Sequence, residues 1–402
     1  MSTLRAAVTA LLAVAALLLA PVVGAVPASA DEGTMIGIGI QPLGVVEGPD
    51  GTLYVSDYDW AGGISVYPPG ETLPSRTIKV GRFPSSLAIT PDGTLYVTQA
   101  GDSGQAEIGV VALGANEAAL AIKVSSGPHW LTVGPDGSLY VANPSEDSVS
   151  VVLPGDAWIE RIIQAGPSPV EVTVAKDGTA YATNELAGTV TVVPAGVPSP
   201  SHTIDIGGKA HPHGIAAAPD GTVYVANILT NDVAVIEPGG TTVARRIPVG
   251  SAPQEVVAAA DGTVYVTNSS DNTVSVIPAG AVAASEAVRT GEDPGRMAVR
   301  ADGTVVVVNR GGRSLTVIPA AASAGSGASA ASPGAELGAA PGAEPPLSAA
   351  DPAAGAFDSA VPLVAAGAAA LLLGGAVAVV VLLGRRRRQG QDIVPATVGT
   401  IT

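Results

Sequence analysis

The sequence predicts an all-β fold. Its core is a seven-bladed β-propeller of four-stranded antiparallel blades, with an N-terminal strand closing the last blade and one C-terminal transmembrane helix beyond. Three observations predict it. An Asp-Gly pair follows a short apolar run at Asp50, Asp92, Asp136, Asp177, Asp220, Asp261 and Asp302, at intervals of 42, 44, 41, 43, 41 and 41 residues. Eight residues before every one of these aspartates stands a proline: Pro42, Pro84, Pro128, Pro169, Pro212, Pro253 and Pro294. The intervening segments are β-branched and aromatic. One such unit cannot bury both faces of its sheet alone, so units repeating about every 40 residues must stack as blades.

The sixth unit shows how one blade is built. Pro253 opens a first strand through Val256 and Val257, a position where proline is tolerated. Asp261-Gly262 is the hairpin signal, expected to form a tight two-residue turn. Residues 263–267 make a second strand, and Asn268 begins the next turn. A third strand at 273–277 is halted by Pro278-Ala279-Gly280, and a weaker fourth follows at 285–289. Strands that read as near-continuous apolar runs imply burial on both faces. A tyrosine recurs four residues after each aspartate (Tyr54, Tyr96, Tyr140, Tyr181, Tyr224, Tyr265) and becomes Val306 only in the seventh unit.

The seventh unit lacks a fourth strand, dissolving into Ala-Ala-Ser-Ala-Gly after Ile318. The segment 35–39 aligns with residues 246–250, both ending eleven residues before their aspartate. It therefore supplies the missing strand and locks the ring, pairing residues about 280 apart in a chain with no cysteine.

Tyr265-Val266-Thr267-Asn268, Tyr224-Val225-Ala226-Asn227 and Tyr140-Val141-Ala142-Asn143 resemble the YVTN-type propeller repeat of bacterial and archaeal surface proteins. The resemblance covers roughly residues 35–320 and fades in the first unit (Asp57 for the Asn) and the second (Gln99). It implies a fold and a surface location, and brings no shared catalytic motif.

The expected organisation is a signal peptide at 1–30, the propeller at 31–320, a disordered Ala/Pro/Gly/Ser-rich linker at 321–360, a transmembrane helix at 361–384 and a cytoplasmic tail at 385–402. The signal has Arg5, an apolar stretch and Ala28-Ser29-Ala30 as cleavage triplet. Residues 361–384 are 24 without a charge, enough to span a bilayer, and Arg385 to Arg388 follow at once. By the positive-inside rule the propeller lies outside the cell. Residues 31–360 carry 14 basic and 34 acidic side chains, a balance of −20 that argues against nucleic acid as partner. Four lysines against fifteen arginines, with abundant Ala, Gly and Val, suggest a GC-rich, actinobacterial source.

Antiparallel order puts the Asp-Gly turns at one end of the ring, and the prolines and the loops after Asn at the other. The latter end carries the channel mouth, rimmed by the two residues after each proline, which vary while the framework repeats. There His129, His213, Glu171 and Glu255 are the candidates for acid–base work or for ligating a divalent metal. Solvated or hydrogen-bonded rim residues are the plainer reading of the same four. Gln254 and Arg296 share the rim. Tyr58, Trp60 and Trp130 lie on the same loop end and form a candidate sugar- or peptide-contacting patch. The architecture is similar to that of virginiamycin B lyase, a seven-bladed propeller with His and Glu near its channel and a magnesium ion.

These features point first to a membrane-anchored, non-enzymatic module that needs no cofactor and binds an extracellular protein, glycan or envelope component. A metal-dependent lyase or lactone hydrolase at the channel mouth is the alternative, and a structural surface-layer component the third.

Overall fold

The computed structural model describes residues 28–320, apart from residues 39, 125 and 126. The segments expected to form the linker, the transmembrane helix and the tail, and the expected signal peptide up to residue 27, lie outside the described residues. Among the described residues no helix is long and apolar enough to cross a membrane.

Seven sheets form the ring, each holding four antiparallel strands. The first strands line the central channel: Pro42–Glu47, Leu87–Ile89, Trp130–Val133, Pro169–Val174, Pro212–Ala217, Pro253–Ala258 and Pro294–Val299, in blades 1 to 7. The proline opens the strand in blades 1 and 4 to 7, whereas in blades 2 and 3 pairing starts only at Leu87 and Trp130. The closing strand is Thr34–Gly37, which pairs antiparallel with Ser314–Ile318 in the register Thr34 to Val317 through Gly37 to Ser314. A further strand, Ala28–Glu32, lies parallel to the fourth strand of blade 6, so the expected cleavage triplet occupies its first three positions.

The Asp-Gly turns differ from expectation in an instructive way. At all seven the glycine has positive φ, between 80° and 88°, while none of the aspartates does. In blade 6, Gly262 N–H donates to Ala259 O (3.0 Å) and Ala259 N–H to Thr263 O (2.8 Å), which makes a three-residue loop with a left-handed glycine. Each aspartate instead accepts a hydrogen bond from the amide two residues on, as in Thr263 N–H to Asp261 Oδ1 at 2.9 Å. Asp is thus selected for its side-chain acceptor, and only Gly for backbone freedom.

The asparagine that ends the second strand braces the opposite end. In blade 6 the fully buried Asn268 donates from Nδ2 to Thr273 Oγ1 (3.0 Å) and Ser275 Oγ (2.9 Å), across the turn. Asn184 and Asn309 repeat this contact with Thr189 and Thr191, and with Ser314 and Thr316. The core lies between blades. One face of blade 5 (Tyr224, Val233, Val235, Ile247) packs on the facing side of blade 6 (Val256, Val264, Val266, Ile277). Burial of each such side chain contributes about 1.5–3 kcal/mol. The seam between blades 7 and 1 is built the same way, from Val306, Val308 and Leu315 against Val45, Val55 and Tyr67.

Candidate functional site

The second residue after the proline projects from each first strand, so the ring aims seven such positions at one axis. Gly44 and Gly214 hold two of them. At Gly214 a Cβ would lie 2.6 Å from Gln254 O, so this close approach of neighbouring first strands requires glycine. Ser86 turns sideways instead, accepting from Leu131 N–H of the next blade (3.1 Å). The remaining four, Trp130, Glu171, Glu255 and Arg296, meet in the channel.

Arg296 of blade 7 is the hub. Its Nη1 donates to Glu255 Oε2 (2.7 Å) and to Glu171 Oε2 (2.9 Å), and its Cζ lies 3.8 Å from the centroid of the Trp130 ring. The other oxygen of Glu171 accepts Ile215 N–H from blade 5 (2.9 Å), and Glu255 N–H donates to Thr267 Oγ1 (3.1 Å). Both carboxyl groups are buried, while the guanidinium retains slight exposure. Burial pushes the Glu171 carboxyl well above the usual carboxylate range; the neighbouring Glu255 pushes it further and Arg296 pulls it back. Glu255 is also raised by burial, opposed by Arg296 and by a hydrogen bond from Glu171. The two carboxyl groups thus share one guanidinium, and burial favours a proton on the pair.

His129 and His213 occupy the first position after the proline in blades 3 and 5. Their rings meet edge to face with centroids 5.9 Å apart. His129 Nδ1 lies 2.8 Å from Val170 O, and His213 Nδ1 lies 3.0 Å from Gln254 O. A carbonyl oxygen only accepts, so Nδ1 carries the proton in both rings and each Nε2 keeps a free lone pair. His129 is exposed to the channel, although it sits at depth among surrounding protein atoms. That depth, then the charge of Arg296, lowers its pKa to about 4, against a small upward effect of the Val170 bond. Burial, Arg296 and His129 together hold His213 well below the ordinary histidine range. Both imidazoles are neutral at physiological pH.

Among the described residues no group of three or more His, Cys, Asp or Glu is arranged to hold a metal ion. The donor chemistry agrees. The two carboxyl groups that a divalent cation would need already bind the guanidinium of Arg296. The residues present do not suit a magnesium centre of the kind the architecture implies.

The ring thus brings together His129, His213, Glu171, Glu255, Arg296 and Trp130, with Gln254 contributing its carbonyl. Glu171 and Glu255 are buried partners of Arg296, in contrast to solvated rim residues. Trp130 packs on Arg296 in the channel, whereas Tyr58 and Trp60 pack on Phe83, tilted and edge to face, at the mouth of blades 1 and 2. Two participants escaped the sequence reading. Phe83 precedes a framework proline, and Arg310 follows the blade 7 asparagine, donating to Asp293 Oδ1 (2.7 Å) and approaching Gln254 Oε1 (3.5 Å). Gly295 makes room for Arg310, since a Cβ there would stand 3.1 Å from its Nε.

A family model described as the virginiamycin B lyase family matches residues 29–316. The chain belongs to the virginiamycin B lyase family. Solved structures show how widely this member's fold is shared. The Kuenenia stuttgartiensis hydrazine synthase is 20% identical, with 74% of this chain and 99% of that chain covered and a TM-score of 0.63. A streptogramin B lyase is 14% identical over 71% of this chain and 96% of its own, with a TM-score of 0.59. A catalytically inactive virginiamycin B lyase from Staphylococcus aureus, in complex with quinupristin, is 15% identical over 71% and 97%, with a TM-score of 0.55. At these identities the likeness is one of fold. No curated protein matches this family member.

Proposed function

We propose that this family member is a non-enzymatic binding module held outside the cell, with its recognition site at the channel mouth. The observation that supports this most is the Trp130–Arg296–Glu171–Glu255 cluster. In it the Arg296 guanidinium is already held by two carboxyl groups and lies against the Trp130 ring, an arrangement suited to shape and stacking recognition. The signal-like segment read at 1–30, the uncharged segment at 361–384 and the Arg-rich run after it support a module on the outer face of the membrane, facing a protein, glycan or other envelope component. The YVTN character of the repeat, with its bracing asparagines, accords with that setting.

The test is retention of envelope material from the source organism on the immobilised protein. Loss of a specific component on Trp130→Ala, with the thermal melt unchanged, supports the reading. Retention by the variant equal to that of the parent overturns it. Self-assembly into sheets, without a captured component, would instead favour a surface-layer role.

A second reading follows from the histidines. Two neutral rings with free Nε2 lone pairs in one channel are suited to taking a proton from a bound substrate, and the family is one of lyases. It predicts turnover of a cyclic depsipeptide of the quinupristin class that disappears in His129→Ala or His213→Ala.

A further inference from the structure

We propose a second binding site, for a short uncharged oligosaccharide, in the cleft on the loop end of blades 1 and 2. It is independent of the channel reading. Four observations converge there. The loops between second and third strands hold five residues in blades 1 and 2 (58–62 and 101–105) but four in blades 3 to 7. The bracing asparagine is absent from the same two blades, replaced by Asp57 and Gln99. Asp57 turns to accept Gln41 N–H (2.9 Å) and leaves its own loop without that brace, whereas Gln99 spans its loop with a longer side chain, donating to Glu107 Oε1 (2.8 Å).

Into the space so opened the chain puts aromatic side chains it uses sparingly elsewhere. It has two phenylalanines and three tryptophans, and six of its eight tyrosines occupy the blade-packing position. Tyr58 packs against Phe83 with tilted rings and Trp60 meets it edge to face, at centroid distances of 5.5 and 5.7 Å. Trp60 is 59% exposed and Tyr58 44%, with Arg82 4.3 Å from the Trp60 centroid on one side of the ring. Phe83 adopts a φ of 50° directly before Pro84, as Ser168, His211, Ala252 and Asp293 do before their prolines, so the turn belongs to the framework and the aromatic ring it carries is what sets this blade apart.

Beside these rings lies a cleft of about 410 Å³ lined by residues that include Tyr58, Phe83, Ser85, Thr98 and Gln99. The cleft is shallow and opens widely to solvent, a shape that suits an extended chain lying across it. Every lining residue is uncharged, in a chain of net charge −16, and none belongs to the channel cluster. Ser85 Oγ and Thr98 Oγ1, 2.6 Å apart, put hydroxyl groups on its wall. Aromatic faces for C–H surfaces, hydroxyl groups for hydroxyl groups and no charge match a neutral sugar. The charged group nearest the rings, Arg82, lies against the Trp60 face and not among the lining residues.

The experiment is calorimetric titration of the full-length protein in detergent with cellohexaose, laminarihexaose, mannohexaose and maltohexaose. At least one is expected to bind saturably, with a Kd of about 1 mM or tighter. Binding should weaken tenfold or more in both Trp60→Ala and Tyr58→Ala. It should be unchanged in Trp158→Ala, a tryptophan of equal exposure remote from the cleft residues, and in Trp130→Ala. Thermal melts establish that each variant is folded. Absence of binding by all four sugars, or binding insensitive to Trp60 and Tyr58, overturns the proposal. So does preferential binding of a decaproline peptide lost in the same two variants, which would assign the cleft to polypeptide.

Discussion

Arg296 and Glu171 are 125 residues and three blades apart, yet the guanidinium of one lies 2.9 Å from the carboxyl of the other. With Glu255 at 2.7 Å, this contact ties blades 4, 6 and 7 together across the channel. The pair is buried, so its strength depends on completeness. Two partnered carboxyl groups are stable, whereas two abandoned ones are not.

Replacing Arg296 by Ala should therefore destabilise the propeller by about 3–5 kcal/mol, the usual cost of leaving a buried ionic group without its partner. Part of that loss returns when Glu171→Gln and Glu255→Gln are added, because the remaining groups are then neutral. Urea unfolding midpoints measure both effects. Because the cation of this cluster is a side chain, EDTA should leave the midpoint of the parent protein unchanged, and a drop on chelation would contradict the assignment.

The two histidines set a pH dependence of definite sign. His129 titrates near 4 in the folded protein, below the ordinary value of 6.5 expected of the unfolded chain, and His213 is lowered in the same sense. The folded state thus binds fewer protons between these values, and the stability they confer is full above pH 6.5 and is lost as pH falls toward 4. Glu171 acts oppositely: its raised pKa favours folding below 4.5, and that contribution is lost as pH rises through its folded value. In His129→Asn/His213→Asn the melting temperature should accordingly fall less between pH 7 and pH 5 than in the parent. A parallel fall in both proteins would mean that the imidazoles are not held neutral in the channel.

The ring was legible from the chain because its period is written in local turn chemistry. Asp261-Gly262 and Pro253 each act within a few residues, and such signals survive in sequence. The count of blades and the closing strand follow from them. The channel residues were legible only as places on a rim. Nothing near Glu171 announces Arg296, because their meeting depends on blade curvature and on the small residues at Gly44 and Gly214 that leave the axis open. The turn geometry was missed for a different reason: Asp-Gly suits both a two-residue turn and a three-residue turn with a bulge, and only the bonding of Ala259 to Thr263 separates them. Phe83 had a signal that went unused, since the longer loops and the lost asparagines of the first two units mark that site.

The bracing asparagines give a prediction at a single residue. Asn268 is fully buried and its amide joins two strands through Thr273 and Ser275. Asn268→Ala leaves both hydroxyl groups without that donor and opens a small void, at a cost of about 1–3 kcal/mol. Asn268→Asp should be at least as harmful at neutral pH, because a carboxylate cannot donate to either hydroxyl and must itself be desolvated. The order of denaturation midpoints, parent above both variants, checks the role of donor.

The seam between blades 7 and 1 carries the closure of the whole ring. Besides the pairing of Thr34–Gly37 with Ser314–Ile318, Glu47 accepts from Arg300 Nε (2.9 Å) and from Ala301 N–H (2.8 Å), while Arg300 Nη2 donates to Gly51 O (3.0 Å). The two devices differ in kind. The ion pair is partly buried at the turn end and contributes on the order of 1 kcal/mol. The strand covers an edge that would otherwise present unpaired amides and carbonyls to other molecules. Arg300→Ala should therefore lower the melting temperature by a few degrees and leave the protein monodisperse. Deleting residues 28–38 should instead produce concentration-dependent aggregation, as the bared Ser314–Ile318 edge recruits other chains. Light scattering separates the two. A monodisperse deletion variant with an unchanged melt would show that the ring holds without its closing strand.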